Sequence, residues 1–198
     1  MAPCYSLSMV FPVRQRFTFE DYLVLEETSL AKHEFLDGHV WAMAGGTPDH
    51  GAIAANVIAL LSNQVRHRAC RVFTSDVRIR VLATGLATYP DVSVVCGVQE
   101  HDPTDPKKNT VTNPCVLVKV LSPSTEAYDR GEKVAHYKQI PSVQEIVLVA
   151  HEERRIELWR RAGDHWVLDV IHGEEPAPIV SIGAELPLAE VYRNPLEP

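Results

Sequence analysis

The chain has 198 residues, 45% hydrophobic and 23% charged, with 19 basic and 26 acidic side chains and a net charge of −7. This size and balance fit one globular domain over residues 1–198, with 1–16 as an N-terminal tail, and exclude a wholly disordered chain. No apolar run reaches the length of a membrane span and no secretory signal stands at the N-terminus, so a cytoplasmic protein is expected. The charge is uneven: residues 1–150 carry 14 basic against 16 acidic side chains, while 151–198 carry 5 against 10. Overall acidity argues against bulk, nonspecific nucleic-acid binding but leaves room for a local basic face. Cys4, Cys70, Cys96 and Cys115 form no C-x-x-C pair and read as reduced thiols.

In chain order, Thr18-Phe-Glu-Asp21 has capping-box spacing and opens a short helix through Glu27. His33 to Ala44 reads as a hairpin turning at Asp37-Gly38. Asp49 is expected to cap a helix from about His50 to Arg66, whose Ile53, Val57, Leu60, Leu61 and Val65 recur at helical spacing. Arg71 to Leu82 alternates as one strand, and Asp91 to Cys96 is a short apolar strand after Pro90. Gln99 to Asn113 reads as a mobile loop. Pro114 to Leu121 is nearly continuous apolar, as in a strand buried on both faces, interrupted by Lys119. Asp129-Arg-Gly-Glu132 has the spacing of a second capping box, opening a helix to about Gln139 that stops before Pro141. Gln144–Ala150, Arg155–Arg160 and Trp166–Ile171 form a meander, and Leu186–Tyr192 a closing helix. The pattern is α/β or α+β: a mixed sheet flanked by helices.

Three ionisable residues fall where strands are expected: Asp91, Lys119 and Glu34. A charge on a buried strand is costly unless it is paired or binds something. Carboxylates on adjacent strands can hold Mg²⁺ with several waters, and a nearby lysine can stabilise developing negative charge. The plainer alternative makes Asp91 a cap and Lys119 a snorkelling edge residue. Lys133 and Tyr137 share one helix face. No G-x-S-x-G elbow, phosphate-binding glycine loop or H-E-x-x-H motif is present, which leaves serine hydrolase, nucleotide-dependent and zinc protease chemistry without support.

Several segments stand in a recognisable order: Phe17-Thr-Phe-Glu-Asp-Tyr22, Glu34-Phe-Leu-Asp-Gly38, Met43-Ala-Gly45 with His50, Tyr89-Pro-Asp-Val92, Asn113-Pro114, Leu121-Ser-Pro-Ser-Thr-Glu-Ala-Tyr-Asp-Arg-Gly-Glu-Lys133, and Tyr137 with Ile140-Pro-Ser142. In this order the chain, from Phe17 to Tyr192, resembles the Uma-type restriction endonucleases, a bacterial branch of the PD-(D/E)XK nuclease superfamily. The resemblance implies a restriction-endonuclease-like mixed sheet and a metal-dependent DNA endonuclease using Mg²⁺ or Mn²⁺. It implies Asp91 as metal ligand, Glu34 as supporting acid and ligand, and Lys133 in the transition-state-stabilising lysine's role. DNA is the implied substrate and a homodimer a reasonable form.

The chain departs from that pattern at one position, where Lys119 stands in place of the family's second carboxylate. An ammonium there would pair with Asp91 and repel a divalent ion. At 4 Å and an effective dielectric near 20, such a pair is worth roughly 4 kcal/mol before desolvation, and repulsion of a divalent cation about double. The expected consequence is a nuclease fold with a weakened or inactive site. A non-catalytic homologue that binds DNA or a protein is the alternative. Glu126 or Glu132 could serve as a substitute ligand. His50, Arg78 and Arg80 are candidate DNA contacts, weighed against structural roles; Asp76 is expected to pair with Arg78 or Arg80, and Asp129 to be an N-cap.

Overall fold

The computed structural model describes residues 16–43, 45–194 and 196. The expected N-terminal tail lies outside these except for Arg16, which reaches Asp37 at 3.5 Å. Helix α1 (Phe19–Thr28) starts with the expected capping box: the Thr18 hydroxyl accepts from the Asp21 amide, and the Asp21 carboxylate accepts from the Thr18 amide. It buries Phe19, Tyr22 and Leu23 against Phe35. Strands β1 (His33–Leu36) and β2 (His39–Ala42) form the hairpin, with positive φ at both Asp37 (46°) and Gly38 (76°), the requirement of a type I′ turn.

Helix α2 (Pro48–Val65) is capped by Thr47 rather than Asp49. Pro48 has no amide hydrogen and suits the first helical position, which moves the cap one residue upstream of it. The strands β3 (Cys70–Thr74) and β4 (Arg78–Val81) replace the single strand expected over 71–82. A turn through Ser75 and Asp76 separates them, and the apolar phase slips across it: Val72 packs with the α2 side of the main sheet, whereas Val77, Ile79 and Val81 pack on the other. Next come β5 (Leu86–Thr88), β6 (Val92–Cys96), β7 (Thr110–Val111) and β8 (Val116–Val120). Helical turns α3 (Glu126–Tyr128) and α4 (Val134–Tyr137) flank a π-helical turn over Asp129–Lys133. Asp129 therefore lies inside a helical segment, not at its cap. The chain closes with β9 (Glu145–Val149), β10 (Arg155–Ala162), β11 (His165–His172), β12 (Ala177–Ile179), β13 (Ala184–Leu186) and α5 (Leu188–Val191).

The main sheet has order β11-β10-β9-β8-β6-β3, with β8 and β9 parallel and the other neighbours antiparallel. Side chains alternate across it. Val116, Val118 and Val120 of β8 pack with Val57 and Leu61 of α2 on one face, whereas Leu117 packs with Val134 and Tyr137 of α4 on the other. A second sheet, β2-β1-β5-β4-β7, covers that other side through Ile79, Val81 and Leu86.

Two further expectations are corrected. The 99–113 loop is tied down: Asp102 accepts from the Thr104 amide at 2.8 Å, Asp105 accepts from the Thr110 hydroxyl at 2.7 Å, and β7 joins β4. Cys70 and Cys96, expected as free thiols, are joined by a disulfide, because the β3–β6 register sets them directly opposite.

Candidate active site

Asp91 stands immediately before β6 and Lys119 lies in β8, and these two strands are hydrogen-bonded neighbours, with Val92 opposite Val118. One residue further along each strand, Asp91 and Lys119 face each other on the side of the sheet that looks toward the helical segment 126–137. Likewise Phe35 pairs with Ala87, so Glu34 lies across from Thr88. Thr88 leads through Tyr89 and Pro90 straight to Asp91. The connection from β5 to β6 thus brings both carboxylates to one cavity of about 540 Å³. Glu34, His50, Asp91, Lys119 and Lys133 all line it, together with Trp41 and Tyr128.

Four of these charged groups are nearly sealed from water: Glu34 is 3% exposed, Lys133 5%, Asp91 7% and Lys119 8%. Buried charges persist only when paired, and each here has a partner. The Lys119 ammonium donates to Asp91 Oδ1 at 3.1 Å and lies 3.0 Å from Oδ2. Asp91 Oδ2 also accepts from the Val120 amide at 2.7 Å. His50, in the first turn of α2, places Nε2 3.2 Å from the Val120 carbonyl oxygen and 3.6 Å from Asp91 Oδ2. Gly46 leaves the room for it: a Cβ there would stand 2.8 Å from His50 Nδ1. Burial pushes the Asp91 carboxyl up, but His50 and the Lys119 ammonium outweigh it and hold the group below the ordinary carboxylate range.

A second ionic group stands across the cavity. Lys133 Nζ lies 2.9 Å from Glu34 Oε1 and 2.9 Å from Asp129 Oδ1. The Thr88 hydroxyl donates to Glu34, and the Thr125 hydroxyl to Asp129 at 2.7 Å. Burial disfavours the Lys133 ammonium, but the Tyr137 hydroxyl, Glu34 and Asp129 outweigh it and raise its pKa above the ordinary lysine value. Lys133 is therefore a fixed cation, not a base. Tyr137 is buried beside it, its hydroxyl pushed well above the usual range by desolvation, which suits packing rather than proton transfer.

Other candidates lie elsewhere. Arg78 and Arg80 turn into the protein instead of presenting a phosphate-binding face. The Arg78 guanidinium sits 5.2 Å from the Tyr22 ring centroid and donates to Thr110 Oγ1 at 3.0 Å. That of Arg80 sits 3.7 Å from the Phe19 ring centroid and 3.8 Å from Asp102. Asp76 pairs with Lys32 at 2.6 Å rather than with either arginine. Glu126 bonds Arg130 at 2.8 Å and does not line the cavity. Asp129 and Thr88 are site residues that sequence reasoning missed or misassigned. Glu34 and Lys133 shared the resemblance, but nothing in their spacing revealed that Asp129, four residues before Lys133, would turn inward.

Among the described residues, no three His, Cys, Asp or Glu side chains cluster as metal ligands. Both Asp91 oxygens face Lys119, and Glu34 Oε1 is taken by Thr88 and Lys133.

A family model described as "Putative restriction endonuclease", Uma2, matches residues 19–189. Two Synechocystis proteins are similar along nearly their whole lengths. The uncharacterized protein slr1290 is 36% identical over 192 residues, covering 96% of this chain and 97% of the relative. The uncharacterized protein sll1609 is 32% identical over 167 residues, covering 84% and 93%. A crystal structure described as a "putative nuclease belonging to DUF820" from Anabaena variabilis superposes with a TM-score of 0.73 at 18% identity, covering 89% of this chain and 97% of that one. At that identity the likeness establishes the fold. No helix among the described residues is long and apolar enough to cross a membrane.

Proposed function

Because the chain belongs to the Uma2 restriction-endonuclease family, we propose that it is a nuclease-fold protein whose DNA-cleaving site is disabled by Lys119. In the active form of such a site a divalent cation, Mg²⁺ or Mn²⁺, polarises the phosphodiester and lowers the pKa of the attacking water. Asp91 and Glu34 are the residues that would hold it. The donor set of this chain does not fit that ion. The observation that carries this reading is the Lys119 ammonium within 3.0–3.1 Å of both Asp91 oxygens. It neutralises the carboxylate and stands where a cation would have to bind, while Glu34 is separately paired with Lys133. We accordingly derive no hydrolytic step for the chain as it stands.

The reading of a non-cleaving DNA- or protein-binding homologue draws support from the same pairing, in which the Lys119 ammonium balances the buried Asp91 carboxylate. The test is nicking of supercoiled plasmid with Mg²⁺ or Mn²⁺ by the natural chain, by Lys119→Glu and by Lys119→Glu/Asp91→Ala. The expected result is cutting by Lys119→Glu alone. Cutting by the natural chain, abolished by Asp91→Ala, would overturn the disabled-site reading. If none of the three cuts, the binding reading takes precedence, and fluorescence anisotropy with a labelled duplex then tests it.

A further inference from the structure

Three sulfur atoms meet at the end of the main sheet remote from the carboxylate–lysine cavity. Cys70 on the end strand β3 is bonded to Cys96, its cross-strand partner on β6. Cys115, just before β8, is the neighbour on the other side, and its Sγ lies 3.6 Å from Cys96 Sγ. Cys96 is therefore flanked by one sulfur to which it is bonded and one at van der Waals contact. Cys70 lines a surface hollow of about 340 Å³ together with Arg68 and Arg71, both exposed.

We propose that Cys70, Cys96 and Cys115 form a thiol–disulfide exchange site that presents Cys70 to anionic low-molecular-weight disulfides. The Cys115 thiol releases its proton to water, from which the small thiolate that departs at the end takes one up, and its sulfur bonds to Cys96 Sγ. The Cys70–Cys96 bond breaks, and its electron pair leaves with Cys70 Sγ, which becomes the thiolate. This step is an exchange, without net oxidation. The Cys70 thiolate then attacks a carboxylate-bearing disulfide: a bond forms between Cys70 and one half, and the other half departs as thiolate. That small disulfide is the oxidant, and its half is reduced. Arg68, whose guanidinium reaches the Gly183 carbonyl at 3.4 Å, and Arg71 give this hollow a positive rim that favours an anionic co-reactant. Burial pushes the Cys115 thiol up, which slows its attack on any disulfide, and its contact with Cys96 Sγ makes that sulfur the one it reaches.

Peptide mapping without reduction reads the exchange directly, since trypsin places Cys70 in residues 69–71, Cys96 in 81–107 and Cys115 in 109–119. The full chain carrying Cys4→Ser is treated with oxidised glutathione or, separately, with the cationic disulfide cystamine. The expected products are a glutathione adduct on 69–71 and a disulfide joining 81–107 to 109–119. Adding Cys115→Ser should lower the adduct on 69–71 by at least about tenfold, and cystamine should modify Cys70 several-fold less than glutathione. Equal modification with and without Cys115, modification on 109–119 instead, or none at all would overturn the proposal. A second variant removes dependence on the small disulfide. Cys70→Ser treated with diamide should link 81–107 to 109–119, and two thiols that stay alkylatable would equally sink it.

Discussion

The two buried lysines of the cavity are held in different ways. Lys119 meets one carboxylate, and that carboxylate has other support from the Val120 amide and His50. Lys133 meets two carboxylates, Glu34 and Asp129, each of which otherwise keeps only a hydroxyl partner. Lys119 is thus the replaceable member of a one-to-one pair. Lys133 is the keystone of a group that without it holds two buried carboxylates and no counter-ion. A carboxylate at 119 would change the cavity's charge balance on one side only, and the Lys133 side would persist. A change at that single position can therefore alter the charge of the cavity without dismantling the fold around it.

The contrast sets an order of expected effects. Lys133→Met strands two buried carboxylates and should cost about 3–5 kcal/mol, read from urea unfolding midpoints and slopes. Lys119→Met strands one carboxylate that retains an amide donor and should cost about 1–3 kcal/mol. Equal losses would erase the distinction. Combining Lys119→Met with Asp91→Asn should return most of the smaller loss, because a neutral buried amide needs no counter-ion.

Acid sharpens the comparison on the Asp91 side. The folded Asp91 carboxyl titrates below its unfolded value of about 3.9, so its contribution is fully present above that pH and is lost as pH falls through the folded value. Unfolding midpoints followed from pH 6 down to pH 3 should fall less steeply for Asp91→Asn than for the natural chain. Matching slopes would mean that the Asp91 pair does not stabilise the folded state. The smallest effect is expected from Thr125→Val, which removes one hydroxyl from Asp129 but leaves Lys133 in place. It should cost about 1 kcal/mol by thermal melting, and a loss as large as that of Lys133→Met would contradict the primacy of the lysine.

Much of this was legible in local sequence. The Thr18–Asp21 cap, the Asp37-Gly38 turn and the apolar run at 116–120 each impose their structure through neighbours within a few residues. The alternation at 71–82 was misleading for a definite reason: its phase slips by one residue between Val72 and Val77, and at that Ser75-Asp76 turn the chain changes sheet. Asp129 misled because capping-box spacing also occurs inside a helical segment, where the carboxylate can turn toward a lysine one turn on. Arg78 and Arg80 read as a solvated basic face because nothing local reveals that rings from α1 and β1, distant in sequence, will cover them.

By itself the sequence determined α1 with its cap, the β1–β2 hairpin, the bulk of α2 and the buried strand β8, together with the resemblance to a nuclease family and the one anomalous lysine, since cap, turn and strand patterns are set by short-range geometry. Only the tertiary structure decided that Lys119 grips both Asp91 oxygens, that Asp129 joins Glu34 on Lys133, and that three cysteines converge at Cys96. Those meetings depend on strand register and chain crossings between residues far apart in sequence. Charge and sulfur chemistry act over a few ångströms, so a partner's identity is settled only when the sheets are assembled.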